Sequence, residues 1–181
     1  GLCYFKEGKL DGAKYYFQRT VDINDEDIYA HFYIGNILRE QGNNEEARKK
    51  FNKVLELSPD YSWAYYNLAS IDYEEGNLDL AIQNLEKNLE LNPKDVDAYK
   101  VYSKILTKLG KFDNAAVIIE QALDNCGDNG DLYYILAQIQ KLRKANEEYI
   151  KNLGNAMKFY TSLSVPTKFV KDEMNRFMKN G

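Results

Sequence analysis

The chain has 181 residues, of which 44% are hydrophobic and 29% charged, enough apolar surface for a core and enough charge for solubility, so a disordered chain is excluded. Its formal net charge of -4 argues against a general nucleic-acid binder, because neutralising phosphates requires Lys and Arg gathered on one face. No apolar run approaches the roughly 18 residues that span a bilayer, and no signal-peptide apolar region is present.

Taken in order, residues 1–27 read as most of a helical hairpin: a short helix over 1–7, a break at Gly8, and a second helix from about 9 to 23. The front of the first helix is missing. Gly1 stands at an interior column and the chain does not begin with Met, so further sequence is expected upstream. From Ile28 the pattern is complete. Residues 28–61, 62–95 and 96–129 each hold two amphipathic stretches of about 14 residues, with apolar side chains at helical spacing, as in Tyr29, Phe32, Tyr33, Ile37 and Leu38.

These units repeat every 34 residues: Gly8, Gly42, Gly76 and Gly110 form one column, and Ala13, Ala47, Ala81 and Ala115 another. Such a period marks a solenoid. Gly42 and Gly76 fall where a helix stops in a left-handed conformation, and Asn43 and Asn77 behind them are placed to cap the next helix. Pro59 and Pro93 close the second helices, which proline cannot continue. The alanine column marks a close helix crossing, and the column Phe17, Phe51, Leu85, Ile119 and Leu153 supplies bulk between hairpins.

The residues His31, Ile34, Gly35, Leu38, Ala47, Phe51 and Pro59, echoed by Tyr65, Leu68, Ala69, Asp72, Ala81, Leu85 and Pro93, resemble the tetratricopeptide repeat, whose helix-turn-helix unit has 34 residues. Asp72 is out of character in its column. The resemblance implies an all-α, right-handed α-solenoid of such repeats over residues 1–165, with a partial repeat at 1–27, full repeats at 28–61, 62–95 and 96–129, and a degenerate one at 130–165. The fourth repeat has Gly127 where proline is expected. The fifth places Lys144 in the glycine column and Tyr149 in the alanine column, so its two helices are expected to pack more openly or run together. After Pro166, the segment 166–181, with Phe169, Val170, Met174, Phe177 and Met178, reads as a capping helix, or else as a sixth repeat cut short.

Catalytic chemistry finds no foothold. A single histidine precludes His-based metal sites and the usual triads, and His31 shares its column with Tyr65, Tyr99 and Tyr133, which points to packing. No glycine-rich phosphate loop, GxSxG or CxxC is present. The acidic loop 124–131 misses the calcium-binding register, with Ile135 where the bidentate glutamate should stand. No enzyme activity, metal or cofactor is therefore expected. Cys3 and Cys126 lie more than three repeats apart, out of reach of one another in a linear array, and are expected to be free thiols. This favours a cytoplasmic location, with the periplasm as the alternative.

What remains is surface. The resemblance implies a concave groove formed by the first helices, and the candidate partner-binding residues are Phe5, Tyr29, Phe32, Asn36, Trp63, Tyr66, Asn67, Tyr73, Lys100, Lys104, Lys108 and Tyr134. The aromatic residues suit a hot-spot surface, and the lysines at i, i+4 and i+8 would draw an acidic segment unless neighbouring acids offset them. Asn36 and Asn67 match part of the clamp that family members use on acidic chaperone tails, but Phe32, Asp97 and Val101 occupy its other columns, which argues against that ligand. The expected function is a non-enzymatic scaffold or adaptor binding a protein or peptide segment that carries aromatic and acidic residues. The alternatives are a structural subunit of a cell-envelope, secretion or motility assembly, with self-association through the solenoid ends, and the recognition arm of a larger enzyme such as a glycosyltransferase. No nucleic acid and no direct membrane insertion are expected.

Overall fold

The computed structural model describes residues 1–163 and 165–180. Among these the regular structure is helical throughout, divided between two compact units, Gly1–Asn92 and Pro93–Gly181. Among the described residues no helix is long and apolar enough to cross a membrane.

The first unit contains α1 (Leu2–Lys6), α2 (Leu10–Ile23), α3 (Ile28–Glu40), α4 (Asn44–Leu57), α5 (Ser62–Glu75) and α6 (Leu78–Leu91), paired as successive hairpins. Gly42 and Gly76 adopt φ of 75° and 83° with open space around them, so their role is conformational rather than steric. Asn43 accepts from Glu46 N–H at 3.4 Å and caps α4. Asn77 departs from expectation: its side chain makes no cap bond to α6, and its amide lies 3.4 Å from Glu75 Oε2. Ala13, Ala47 and Ala81 are fully buried, and Phe51 and Leu85 of the bulky column are buried as completely. Such side chains contribute about 1.5 to 3 kcal/mol each, and small and large columns together let the hairpins close.

Asp72, the residue out of character, is wholly buried on α5. Its Oδ1 is ion-paired with Arg48 of the preceding hairpin at 2.8 Å, and its Oδ2 accepts from Asn84 of its own hairpin at 2.8 Å. A polar link thus replaces apolar packing across this junction, and burial makes each partner necessary. His31 is buried, and its Nε2 donates to Asp25 carbonyl at 2.8 Å, fixing the turn before α3. Tyr65 ties the next turn in the same way, donating to Pro59 carbonyl at 3.2 Å.

The second unit contains α7 (Val96–Lys108), α8 (Phe112–Cys126), α9 (Gly130–Leu142), α10 (Asn146–Ser162) and α11 (Lys168–Asn180). Asn125 donates to the Tyr99 hydroxyl at 2.7 Å, and Tyr133 donates to Asp128 at 2.6 Å. Cys3 and Cys126 are both free thiols.

The fifth repeat corrects an expectation. Helices α9 and α10 neither merge nor open: they form a hairpin whose turn passes through Lys144 with φ of 61°. A lysine can adopt this conformation at a cost of about 1 to 2 kcal/mol, so the turn survives without glycine. Tyr149 is fully buried. Its bulk is accepted inside the repeat because its hydroxyl reaches Glu173 of α11 at 2.9 Å.

Candidate partner-binding faces

In the first unit the aromatic candidates gather around a residue that the sequence reading passed over. Asp27, Tyr61, Asp95 and Asn129 stand 34 residues apart, each just before a first helix. Asp27, Asp95 and Asn129 cap their helices, accepting from Ala30 N–H at 2.7 Å, Ala98 N–H at 3.1 Å and Asp131 N–H at 2.8 Å. Tyr61 makes no such bond. Its ring instead lies 6.4 Å from that of Tyr29 and 5.1 Å from that of Phe32. A cap worth about 1 kcal/mol is replaced here by an aromatic contact. Burial, and then the neighbouring Tyr29 and Tyr33, push the Tyr61 hydroxyl above its usual range.

Beside this cluster Tyr29 is 66% exposed and Trp63 49% exposed, and Trp63 meets half-buried Tyr66 edge to face at 6.4 Å. Rings this open, held by half-buried neighbours, present large apolar area at small entropic cost. The other candidates are placed differently. Phe5 packs on the core beside Tyr33, at 5.3 Å between ring centres. Asn36 and Tyr73 are half-buried. Asn67 is buried, and its amide donates to Trp63 carbonyl at 2.8 Å. This bond within its own helix withdraws Asn67 from any groove surface, and it bears on a partner only by holding the start of α5.

In the second unit Lys100 and Lys104 border a cleft of about 360 Å³ between α7 and α9, with Ser103, Thr107, Tyr134 and Ile139 also on its walls. Lys100 lies 3.8 Å from Asp97 and 3.5 Å from Asp131, so neighbouring acids offset its charge. Lys108, two turns beyond Lys100, is exposed outside the cleft. Tyr134 does not present a free hydroxyl: it donates to Glu173 of α11 at 3.0 Å, and its ring meets Phe169 at 5.4 Å. The loop acids are engaged too, with Asp131 accepting from Tyr160 at 2.7 Å.

The fold therefore defines a protein of helical-hairpin repeats, with exposed aromatic side chains on first helices (Tyr29, Trp63) and on the second helix α2 (Tyr15, Tyr16). The family described as TPR repeat matches residues 35–74, and the one described as tetratricopeptide repeat matches residues 72–139. Among solved structures, that of MamA is 19% identical and superimposes with a TM-score of 0.79 over 89% of this chain and 94% of its own. YrrB, described as a TPR protein with an unusual peptide-binding site, is 18% identical with a TM-score of 0.68 over 87% and 81%. A thermophilic TPR protein of Thermus thermophilus, TTC0263, is 19% identical with a TM-score of 0.63 over 88% and 87%. No curated protein matches the sequence. The chain belongs to the tetratricopeptide-repeat family, a family of protein-interaction modules that are generally non-enzymatic.

Proposed function

We propose that this chain is a non-enzymatic adaptor that binds an extended or helical segment of a partner protein on the aromatic face of α3 and α5. The observation that carries the reading is Tyr61, which stands in a column of helix caps yet packs against Tyr29 and Phe32. Stability alone would favour Asp or Asn there. The ring instead extends a surface that continues through exposed Tyr29, and exposed Trp63 stands on the next helix. A partner segment with aromatic or long apolar side chains suits that surface. The peptide-binding site named for YrrB is a precedent for such a use of the fold. The exposed thiol of Cys3 fits a reducing compartment, and we place the adaptor in the cytoplasm.

The test is capture from the source cell extract by the wild type and by a Tyr29→Ala, Trp63→Ala chain. Because Tyr29 is 66% and Trp63 49% exposed, the substitutions should cost about 0.5 and about 1 kcal/mol respectively. Proteins retained by the wild type should be lost from the variant while helix content and melting stay nearly unchanged. Identical retention by both chains would remove the aromatic face from the function.

A further inference from the structure

The end of the last repeat holds a polar socket, separate from the aromatic face, that is filled by α11. Glu173 stands 34 residues after Ile139, in the column of Ile37, Ile71 and Ile105, all of them buried apolar side chains. In this position its carboxylate accepts from Tyr134 Oη at 3.0 Å, Gln138 Nε2 at 3.2 Å, Lys141 Nζ at 3.1 Å and Tyr149 Oη at 2.9 Å. Four donors from two helices converge on one carboxylate. Tyr134, Gln138 and Lys141 occupy the columns that in other repeats line the groove, and Tyr149 replaces the alanine of its column. Rings flank the socket, with Phe169 set 5.4 Å from Tyr134 and Phe177 set 4.9 Å from Tyr149.

The helix that fills this socket buries little apolar surface, with Met174 and Phe177 only partly covered. Among the described side chains of α11 only Val170 is fully buried, whereas Phe169 is 44% and Met178 61% exposed. A hollow of about 390 Å³ opens beside Glu173, Arg176 and Phe177. Elements with little buried apolar surface open at low free energy, so the α11 seat is the natural place for exchange.

We propose that the α9–α10 end is a helix-binding site that reads a glutamate on the apolar face of an amphipathic helix, that α11 fills it within the chain, and that a partner helix of the same pattern takes it when α11 leaves. The pattern is two large apolar residues three and four positions before the glutamate and two more one and four positions after it, as in Phe169, Val170, Met174 and Phe177. The contacts of α11 are the argument for that chemistry, since a segment in trans would meet the same four donors.

The probe is a synthetic peptide of residues 166–180, titrated calorimetrically into the full chain. The wild type should bind it weakly, because the site is filled. A full chain carrying Glu173→Lys, which sets a cation against Lys141, should bind it at least ten-fold more tightly, and a peptide with glutamine in place of the glutamate should lose at least ten-fold in return. Equal affinity for the two peptides, or no gain from Glu173→Lys, overturns the proposal. A wild-type chain that is dimeric and takes up no peptide overturns it in favour of α11 exchange between copies. Should Glu173→Lys unfold the last hairpin, hydrogen exchange on the wild type decides. Amides of α11 opening at least ten-fold faster than those of α9 and α10 support exchange, and opening of all three together refutes it.

Discussion

In the unit Gly1–Asn92 the residue that breaks its column, Asp72, is met by groups from helices that keep the ordinary repeat pattern, Arg48 and Asn84. In the unit Pro93–Gly181 two broken columns meet each other: Tyr149 replaces an alanine, Glu173 replaces an isoleucine, and their side chains are hydrogen-bonded at 2.9 Å. The first arrangement leaves the repeat regular and swaps one interaction for another. The second ties the last hairpin to α11. Degeneracy in a terminal repeat is thus a paired exchange of packing for polar contact rather than a simple loss of pattern.

The comparison can be broken most sharply by restoring the columns. Tyr149→Ala should destabilise the second unit by about 3 kcal/mol or more, although it returns the repeat to its consensus, because it empties a filled site and leaves Glu173 short of a donor. Adding Glu173→Ile should recover at least about 1 kcal/mol of that loss in urea unfolding. Strict additivity would show that the two columns are independent. In the first unit Arg48→Met leaves Asp72 buried with Asn84 as its remaining partner. The expected cost is about 2 to 3 kcal/mol, less than for a wholly buried pair, because the Arg48 side chain keeps 31% of its exposure.

A smaller effect follows from acid. Burial by itself would raise the Glu173 carboxyl, but the hydrogen bonds from Tyr149, Gln138, Lys141 and Tyr134 outweigh it and hold the group below its ordinary value of 4.5. A carboxyl depressed in the docked state contributes its stabilisation above the undocked value and loses it as pH falls through the docked one. Tyr149 is pushed well above its ordinary range, by burial and then by the Glu173 bond, and Tyr134 moves the same way, so neither titrates in that window. Protection of the α11 amides against exchange should therefore fall as pH drops below 4.5, and Glu173→Gln should flatten the dependence. The smallest expected change is a gain of about 0.5 to 1 kcal/mol for Lys144→Gly, which relieves a left-handed lysine at the expense of a more flexible unfolded chain. Thermal melting would read it, and a loss would mean that the lysine side chain holds the turn.

The architecture was legible because its determinants are periodic. The alanine, glycine and bulky columns recur at fixed spacing, and the helices begin and end where those columns place them. The faces were less legible. Tyr61 could have been found by extending the column comparison one residue ahead of each first helix, where Asp27, Asp95 and Asn129 mark a cap and a tyrosine is anomalous. Asn67 could not, since only its rotamer decides between the groove and Trp63 carbonyl. Nor could the Tyr149 and Glu173 pair, which lies in different columns and becomes visible only once α11 is seated. Asn77 shows the same limit at a turn: the right residue for a cap stands in the right place and bonds elsewhere.

Trp63 is the single tryptophan of the chain, half open to water at one edge of the aromatic face, while α11 and its socket hold tyrosines and phenylalanines only. Emission excited at the red edge of the indole band therefore reports on the first unit alone. A partner that covers the aromatic face should shift that emission to the blue, and a helix that displaces α11 should leave it unchanged. The unlabelled protein carries an optical means of telling its two proposed binding events apart.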